Sequence, residues 1–417
     1  MYIKKIFLKN IRCFKDIEIS YDLSGDAPPW TVIVGDNAAG KTTLLRSIAI
    51  GLCDESSAAG LLKESDSGYV RYGEKEGKII IDLSEKNENY RIEISIQHIN
   101  TKYGYFERVR QKTTPSEFPW DNLFVAGYGA GRGTSGTGDI AGYSVINAVY
   151  NMFNYSEGLQ NPELTILRLK KPDSQKEVRE ILEKLLTVNS IKWEKSGITV
   201  DGQWGKKMPL RDLADGYKST FLWVTDFLGW AYSFDQKIET ISKFKGIVII
   251  DELEQHLHAT WQRVLISRLK EHFPKIQFIV STHSPLIAAS IGNLDSRNDK
   301  LFICEPSDED STLVQVSEHE TMQSYRFEQV LASRAFKYLI EENPALEEAI
   351  RRASILKDKG DKRTTKEKQE YEKLKKALKG SPFLKATTSV QREIEEEELR
   401  ELKSKEAEAE NDQNKQV

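Results

Sequence analysis

Cysteine is scarce in this chain of 417 residues: Cys13, Cys53 and Cys304 are odd in number, scattered and without the spacing of metal ligands. They read as free thiols of a reducing compartment. An excess of charge of one sign is also missing, since 60 Lys and Arg against 64 Asp and Glu leave a formal net charge of −4. Such a balance gives no global attraction to nucleic acid, so any DNA contact must come from a local basic surface. No apolar run is long enough to span a bilayer, and the opening MYIKKIFLKNIRCF lacks the apolar core and cleavage site of a signal peptide. The expectation is a cytoplasmic chain with no membrane contact. There is no repeat of solenoid or propeller period. The length leaves room for one large α/β domain with elaborations, or for two domains.

What is present begins with TVIVGDNAAGKTTLLRSIAI, Thr31 to Ile50. An apolar strand enters a loop holding Gly35, Asn37, Ala38, Ala39, Gly40, Lys41, Thr42 and Thr43, and a helix-spaced apolar pattern follows. This is G-x-x-x-x-G-K-[ST] between strand and helix, the context that gives the pattern a mechanism. Backbone N–H groups of residues 38 to 42 at a helix N-terminus favour a β-phosphate. The Lys41 ammonium reaches the β- and γ-phosphates, and the Thr42 hydroxyl ligates Mg²⁺. The residues imply binding of ATP or GTP.

Three later stretches complete such a site. GIVIIDELEQHLH is a buried strand ending in Asp251 and Glu252. A carboxylate at the strand tip holds Mg²⁺, the role of Asp251, and its neighbour Glu252 orients or deprotonates the attacking water. KIQFIVSTHSP is a second buried strand, whose tip puts His283 where ligands bind in an α/β sheet and where it can sense a γ-phosphate. LRDLADGYKSTF leads into an apolar helix whose N-terminus, Leu213 to Tyr217, is a second anion site. Such a site has no work in its own subunit if the P-loop already holds the phosphates. It makes sense over the γ-phosphate of a second protomer.

At these residues the chain resembles the ABC-type ATPase heads of the SMC/RecF/OLD superfamily. IFLKNIRCFKDIEI looks like their opening strand pair, GDNAAGKTT their Walker A motif and LADGYKS their signature loop. VIIDELEQHLHATWQ resembles Walker B with the D-loop, and STHSP the histidine switch. The resemblance implies an α/β P-loop head: a mixed sheet with flanking helices, an antiparallel β lobe, a helical lobe and a C-terminal helical extension. The head would cover 1–305, with lobe I at 1–128, an inserted helical lobe at about 129–240 and the Walker B and switch region at 241–305. A helical region at 306–390 and a charged, partly disordered tail at 391–417 would follow.

The same resemblance implies ATP and Mg²⁺ as ligands and a homodimer, or a higher even oligomer, clamping two nucleotides head to tail. Arg12 would lie near the nucleotide and Leu257–Thr260 at the dimer seam. Leu213, Ala214, Asp215, Gly216, Lys218 and Ser219 would complete the second protomer's site. Ala214 replaces the usual signature serine, so its hydroxyl contact is missing; backbone N–H groups and Lys218 or Ser219 are the expected compensation. Gln97 is the candidate Q-loop glutamine. YGAGRG and RFEQVLASRAF look most like the compact Septu (PtuA-like) ATPases of bacterial anti-phage systems, which implies a separate effector, an HNH nuclease.

Two other readings remain. A RecF-like repair clamp would take DNA as its partner, with Lys4, Lys5, Lys9, Arg12 and Lys15 as a thin basic surface. A self-contained nuclease would need a metal site that the sequence does not display. A transporter head would need a membrane partner and does not fit the C-terminal extension. The seven glycines from Gly127 to Gly142 read as a loop rather than a phosphate cradle. His256 and His258 lack the further ligands of a zinc site, and PSDEDS lacks the strand–helix context of a nuclease. In the tail, Tyr371, Leu374 and Leu378 share a helical stripe fit for docking.

Overall fold

The apolar runs that read as buried strands form the centre of a six-stranded sheet in the computed structural model of the chain. The structure describes residues 1–379, with gaps at 133–141, 293–297 and 337–347 and shorter ones of one to three residues elsewhere. Contacts divide it into two units, Met1–Ser324 and Tyr325–Val417.

In the first unit the six-stranded sheet runs β14 (Val314–His319), β13 (Lys300–Pro306), β3 (Thr31–Gly35), β12 (Ile276–Thr282), β11 (Gly246–Ile250), β7 (Val125–Tyr128). All neighbours are parallel except the edge strand β14. Strands β3, β11 and β12 are buried along their whole length, which is why they read as continuous apolar runs rather than alternating ones. Parallel pairing puts the C-terminal tips of β3, β7, β11 and β12 on one edge, and all the site chemistry follows from that placement.

A second, antiparallel sheet runs β2 (Phe14–Ser20), β1 (Tyr2–Ile11), β4 (Glu76–Glu85), β5 (Glu88–Thr101), β6 (Gly104–Thr114). Strands β1, β4 and β5 alternate, with Ile6, Leu8, Ile79, Ile81, Ile92 and Ile94 facing inward. Helix α1 (Lys41–Gly51) packs on β4 and β5 as well as on β3, β11 and β12, so Leu44, Leu45 and Ile48 join the two sheets into one core. Helix α2 (Glu55–Lys63) follows α1. Asp54 caps its N-terminus by accepting from the Ser57 N–H, and Ala58, Leu61 and Leu62 are buried at helical spacing.

The remaining helices are α3 (Val145–Val149), α4 (Pro162–Arg168), α5 (Pro172–Leu186), α6 (Asp215–Phe234), α7 (Ala259–His272) and α8 (Pro285–Ala289). A small antiparallel sheet, β10 (Gly205–Pro209), β9 (Gly197–Gly202) and β8 (Ser190–Glu194), precedes α6. The first unit continues to Ser324, past the expected boundary at 305, because β14 pairs with β13 rather than beginning a helical region. In the second unit, α9 (Phe327–Leu331) and α10 (Thr365–Lys379) are described. Tyr371 of α10 packs with Ala353, Leu356 and Leu374. The charged tail at 391–417 and the side chain of Leu378 lie outside the described residues.

Three aspartates are buried in the first unit among its described residues, Asp226, Asp251 and Asp299, and the first of them titrates unusually. Asp226 of α6 accepts from the Tyr128 hydroxyl at 2.8 Å and from the Gln160 N–H at 2.8 Å. Burial pushes its carboxyl from the usual 3.8 up to about 6, against those hydrogen bonds. Between these values the native protein holds a proton that the unfolded chain has lost. The stability from this group is therefore fully present below pH 4 and is lost as pH rises through 6. At ~1.4 kcal/mol per pH unit, the effect is about 3 kcal/mol. Asp226→Asn cannot ionise, so its stability relative to wild type should rise by up to about 3 kcal/mol between pH 4 and pH 7. Urea unfolding at the two pH values reads this difference, and one that does not change with pH would reject the raised pKa.

Candidate functional site

The loop after β3 has its geometry set by two residues. Gly40 caps α1 with φ 84° and has no side-chain cap of its own. A Cβ there would lie 2.8 Å from Cys13 Sγ and 2.9 Å from Phe14 Cζ, so both backbone and packing require glycine. Ala38 also adopts positive φ, at 62°. The first N–H groups of α1 are thus free to receive an anion. Lys41 Nζ donates to the carbonyls of Gly35 at 2.9 Å and Asp36 at 2.7 Å, which folds the ammonium over the loop. Burial lowers its pKa, and the nearby Asp251, Glu252 and Glu254 oppose that shift.

Thr42 Oγ1 donates to Asp251 Oδ2 at 2.6 Å, which brings the two expected Mg²⁺ ligands together. The other Asp251 oxygen accepts from the Ser281 hydroxyl, and the Asp251 N–H donates to the Tyr128 carbonyl at 2.8 Å. The chain then turns sharply. Glu252 has φ 50°, a conformation costing roughly 1–2 kcal/mol for a residue with a side chain, and its N–H donates to Ser281 Oγ at 2.8 Å. Glu254 next accepts from the Thr282 hydroxyl at 2.6 Å and from the His283 N–H at 2.5 Å, fixing the tip of β12. Neither Ser281 nor Glu254 was selected from sequence as a site residue; each acts by tying two strand tips together.

These elements enclose a cleft of about 330 Å³ lined by Arg12, Cys13, residues 37–43, Glu252 and His283. Arg12 reaches it from the turn between β1 and β2. It has φ 45°, its guanidinium lies 4.1 Å from the Tyr69 ring centroid, and Nε donates to the Gly68 carbonyl at 3.2 Å. The predicted residues from four distant segments therefore share one cavity, with Asp251 joined to it through Thr42. The cradle fits a polyphosphate with Mg²⁺: open helix N–H groups, a buried ammonium, and a hydroxyl paired with a carboxylate.

The signature stretch is placed differently. None of Leu213–Ser219 lines this cleft. A Cβ on Gly216 would lie 2.2 Å from the His256 carbonyl oxygen, so the start of α6 rests directly on the turn after Glu254. Tyr217 packs edge-on against Trp261, with ring centroids 4.1 Å apart. Ala214 and Asp215 are exposed, and Lys218 pairs with Asp215 at 2.8 Å. Leu213 and Ser219 are buried, so the Ser219 hydroxyl is turned into its own protomer and cannot replace the missing signature hydroxyl as expected.

Gln97 also departs from expectation. It is exposed on β5, paired across the sheet with Glu76 and Arg108, and does not line the cleft. The alternation of an antiparallel strand turns it outward. His258 caps α7 through Thr260, and His256 is exposed at φ 62°. Most of the glycine-dense segment (133–141), and Asp308 and Glu309 of PSDEDS, lie outside the described residues. No described helix is long and apolar enough to cross a membrane.

Two family models match the chain: "AAA ATPase domain" over residues 1–122, and "AAA domain, putative AbiEii toxin, Type IV TA system" over 147–289. The Septu protein PtuA of Bacillus mycoides is 29% identical over 295 residues, 68% of this chain and 38% of that protein. The Retron Vc95 probable ATPase of Vibrio cholerae is 36% identical over 87 residues, 21% of this chain and 17% of that one. The DNA replication and repair protein RecF of Bacillus cytotoxicus is 30% identical over 112 residues, 27% of this chain and 28% of that one. The chain thus spans well under half the length of each of these relatives. Among solved structures, the SMC head domain from Thermotoga maritima matches with TM-score 0.44 at 14% identity, over 77% of this chain and 100% of that one. Over parts of its length the chain is thus similar to AAA ATPase domains, to the Septu protein PtuA and to RecF.

Proposed function

We propose that the chain hydrolyses ATP as the gating subunit of an anti-phage defence complex. Two copies close head to tail over two nucleotides, and their open or closed state controls a separate nuclease subunit. The observation that carries this reading is the split of the site. Arg12, the loop 37–43, Glu252 and His283 converge on one cleft, whereas the exposed signature residues stand outside it. A second copy can supply Ala214, Asp215 and Lys218, with free N–H groups at the start of its α6, to the open side of that cleft. The similarity to PtuA supports the defence role.

Within one protomer, residues 38–42 and Lys41 bind and orient the phosphates. Mg²⁺ held by Thr42 and Asp251 would screen their charge. Glu252 accepts the proton of the attacking water, and His283 donates a hydrogen bond to the γ-phosphate. Release of phosphate then lets the copies part. Timing of that release by Glu252 makes hydrolysis slow and regulatory.

The test is affinity purification of tagged Glu252→Gln protein with ATP from its native host. A stoichiometric partner with nuclease activity, of the HNH type that the Septu resemblance implies, is the expected result. The similarity to RecF favours a second reading, a DNA clamp. Nuclease-sensitive DNA in the purified material without a protein partner would replace the first reading with that one.

A further inference from the structure

Arg132 is 1% exposed, lies within the glycine-dense segment Gly127 to Gly142, and no role in the chemistry above falls to it. Its guanidinium spans the gap between the end of β7 and the turn after β11. Nη1 donates to the carbonyls of Gly129 at 3.1 Å and Asp251 at 2.6 Å. Nη2 donates to the carbonyls of Glu252 at 2.6 Å and Leu253 at 3.3 Å. Three successive carbonyl oxygens of the turn therefore converge on one buried cation. They converge because Glu252 stands at φ 50°, which bends the chain around that point.

We propose that Arg132 is a positioning residue for hydrolysis, holding the strained turn in the one conformation that aims Glu252 into the nucleotide cleft. The inference rests on the ATPase reading given above. Three converging carbonyl dipoles repel one another in a dry interior, and a flat guanidinium with its donors in a fixed fork is suited to bind all three at once. A lysine ammonium has fewer donors and no fork. Among the described residues Arg132 makes no hydrogen bond to a carboxylate; Asp251, Glu252 and Glu254 lend it charge from nearby. Burial lowers its pKa to about 10, so it remains a cation at neutral pH. Its Nε has no partner among the described residues. A buried cation bonded, among the described residues, only to backbone and with one donor unused is a poor choice for stability alone. Arg132 also does not line the cleft, so it acts on nucleotide chemistry only through the turn it holds, residues 251–253, of which Glu252 lines the cleft.

The experiment compares full-length wild type, Arg132→Ala and Arg132→Lys. ATP affinity is read from binding titrations and turnover from phosphate release. Hydrogen exchange of the amides at 251–253 is measured without nucleotide. Arg132→Ala should lose about 10²-fold in kcat, the cost of a misplaced catalytic group, with ATP affinity within about 3-fold of wild type. Exchange in the turn should accelerate, and millimolar guanidinium should restore part of the turnover in Arg132→Ala but none in Glu252→Gln. Arg132→Lys should fall between, and it carries the test if the alanine variant does not fold. Unchanged kcat, or affinity and turnover falling together without rescue, would overturn the proposal. Wild type without turnover would defeat the ATPase reading; the exchange data would then still decide whether Arg132 holds the turn.

Discussion

Glu252→Gln should hydrolyse ATP about 10²- to 10⁴-fold more slowly than wild type, the range expected for loss of a general base. The substitution isolates that loss because the contacts that shape the turn are made by the Glu252 main chain. Its carbonyl accepts from Arg132 and its N–H donates to Ser281. The amide is nearly the size of the carboxylate, so φ, cleft and Mg²⁺ ligands stay as they are. Nucleotide binding should persist at wild-type affinity while hydrolysis stalls. A head-to-tail pair that opens only after hydrolysis then accumulates closed. Gel filtration with light scattering should find the variant dimeric with ATP and Mg²⁺ and shifted toward monomer with ADP. Wild-type turnover by Glu252→Gln would remove Glu252 from the base position and make His283, which also lines the cleft, the next candidate.

The parts of this site that could be read from sequence are those whose chemistry is local. The phosphate-loop pattern needs its glycines, lysine and threonine within one turn, so the strand–loop–helix at 31–51 could be read from sequence. Asp251 and Glu252 were legible because four buried apolar residues precede them. The order of strands in the sheet was not legible, although that order is what places β3, β11 and β12 side by side. Arg132 was missed because the carbonyls it binds in the turn lie 119 to 121 residues away, and a lone arginine among glycines looks like a solvent-facing loop residue. Ser281 and Glu254 were missed for the same reason: their roles are hydrogen bonds between strand tips. The expectation for Ser219 failed on helical phase, since its place on α6 turns it inward. Strand β6 was not recognised because only Val109 along it is buried, so apolar alternation is nearly absent. α2 was not legible because much of it is serine, alanine and glycine, and only its cap and three buried positions reveal a helix.

Lys41→Ala should weaken ATP binding by about 10²- to 10³-fold, which corresponds to roughly 3–4 kcal/mol and to the loss of two charge-assisted hydrogen bonds to phosphate. The ammonium bonds to the Gly35 and Asp36 carbonyls. An incoming triphosphate offers it stronger, anionic acceptors within the same partly buried space. Alanine leaves those carbonyls facing the phosphates with no cation between them, so repulsion adds to the lost attraction. Circular dichroism should remain that of wild type, because the core beneath the loop is built by Leu44, Leu45 and Ile48. Titration with a fluorescent ATP analogue reads the affinity, and unaltered binding would mean that the loop does not hold the phosphates. The variant also tests how binding and closure are linked. If ATP in this cleft is what draws in the second copy, Lys41→Ala must abolish the dimer that Glu252→Gln accumulates, and the double variant should stay monomeric at ATP concentrations that saturate Glu252→Gln. A double variant that still dimerised with ATP there would separate closure from this loop and would require a second nucleotide contact, for which the exposed start of α6 is the place to look.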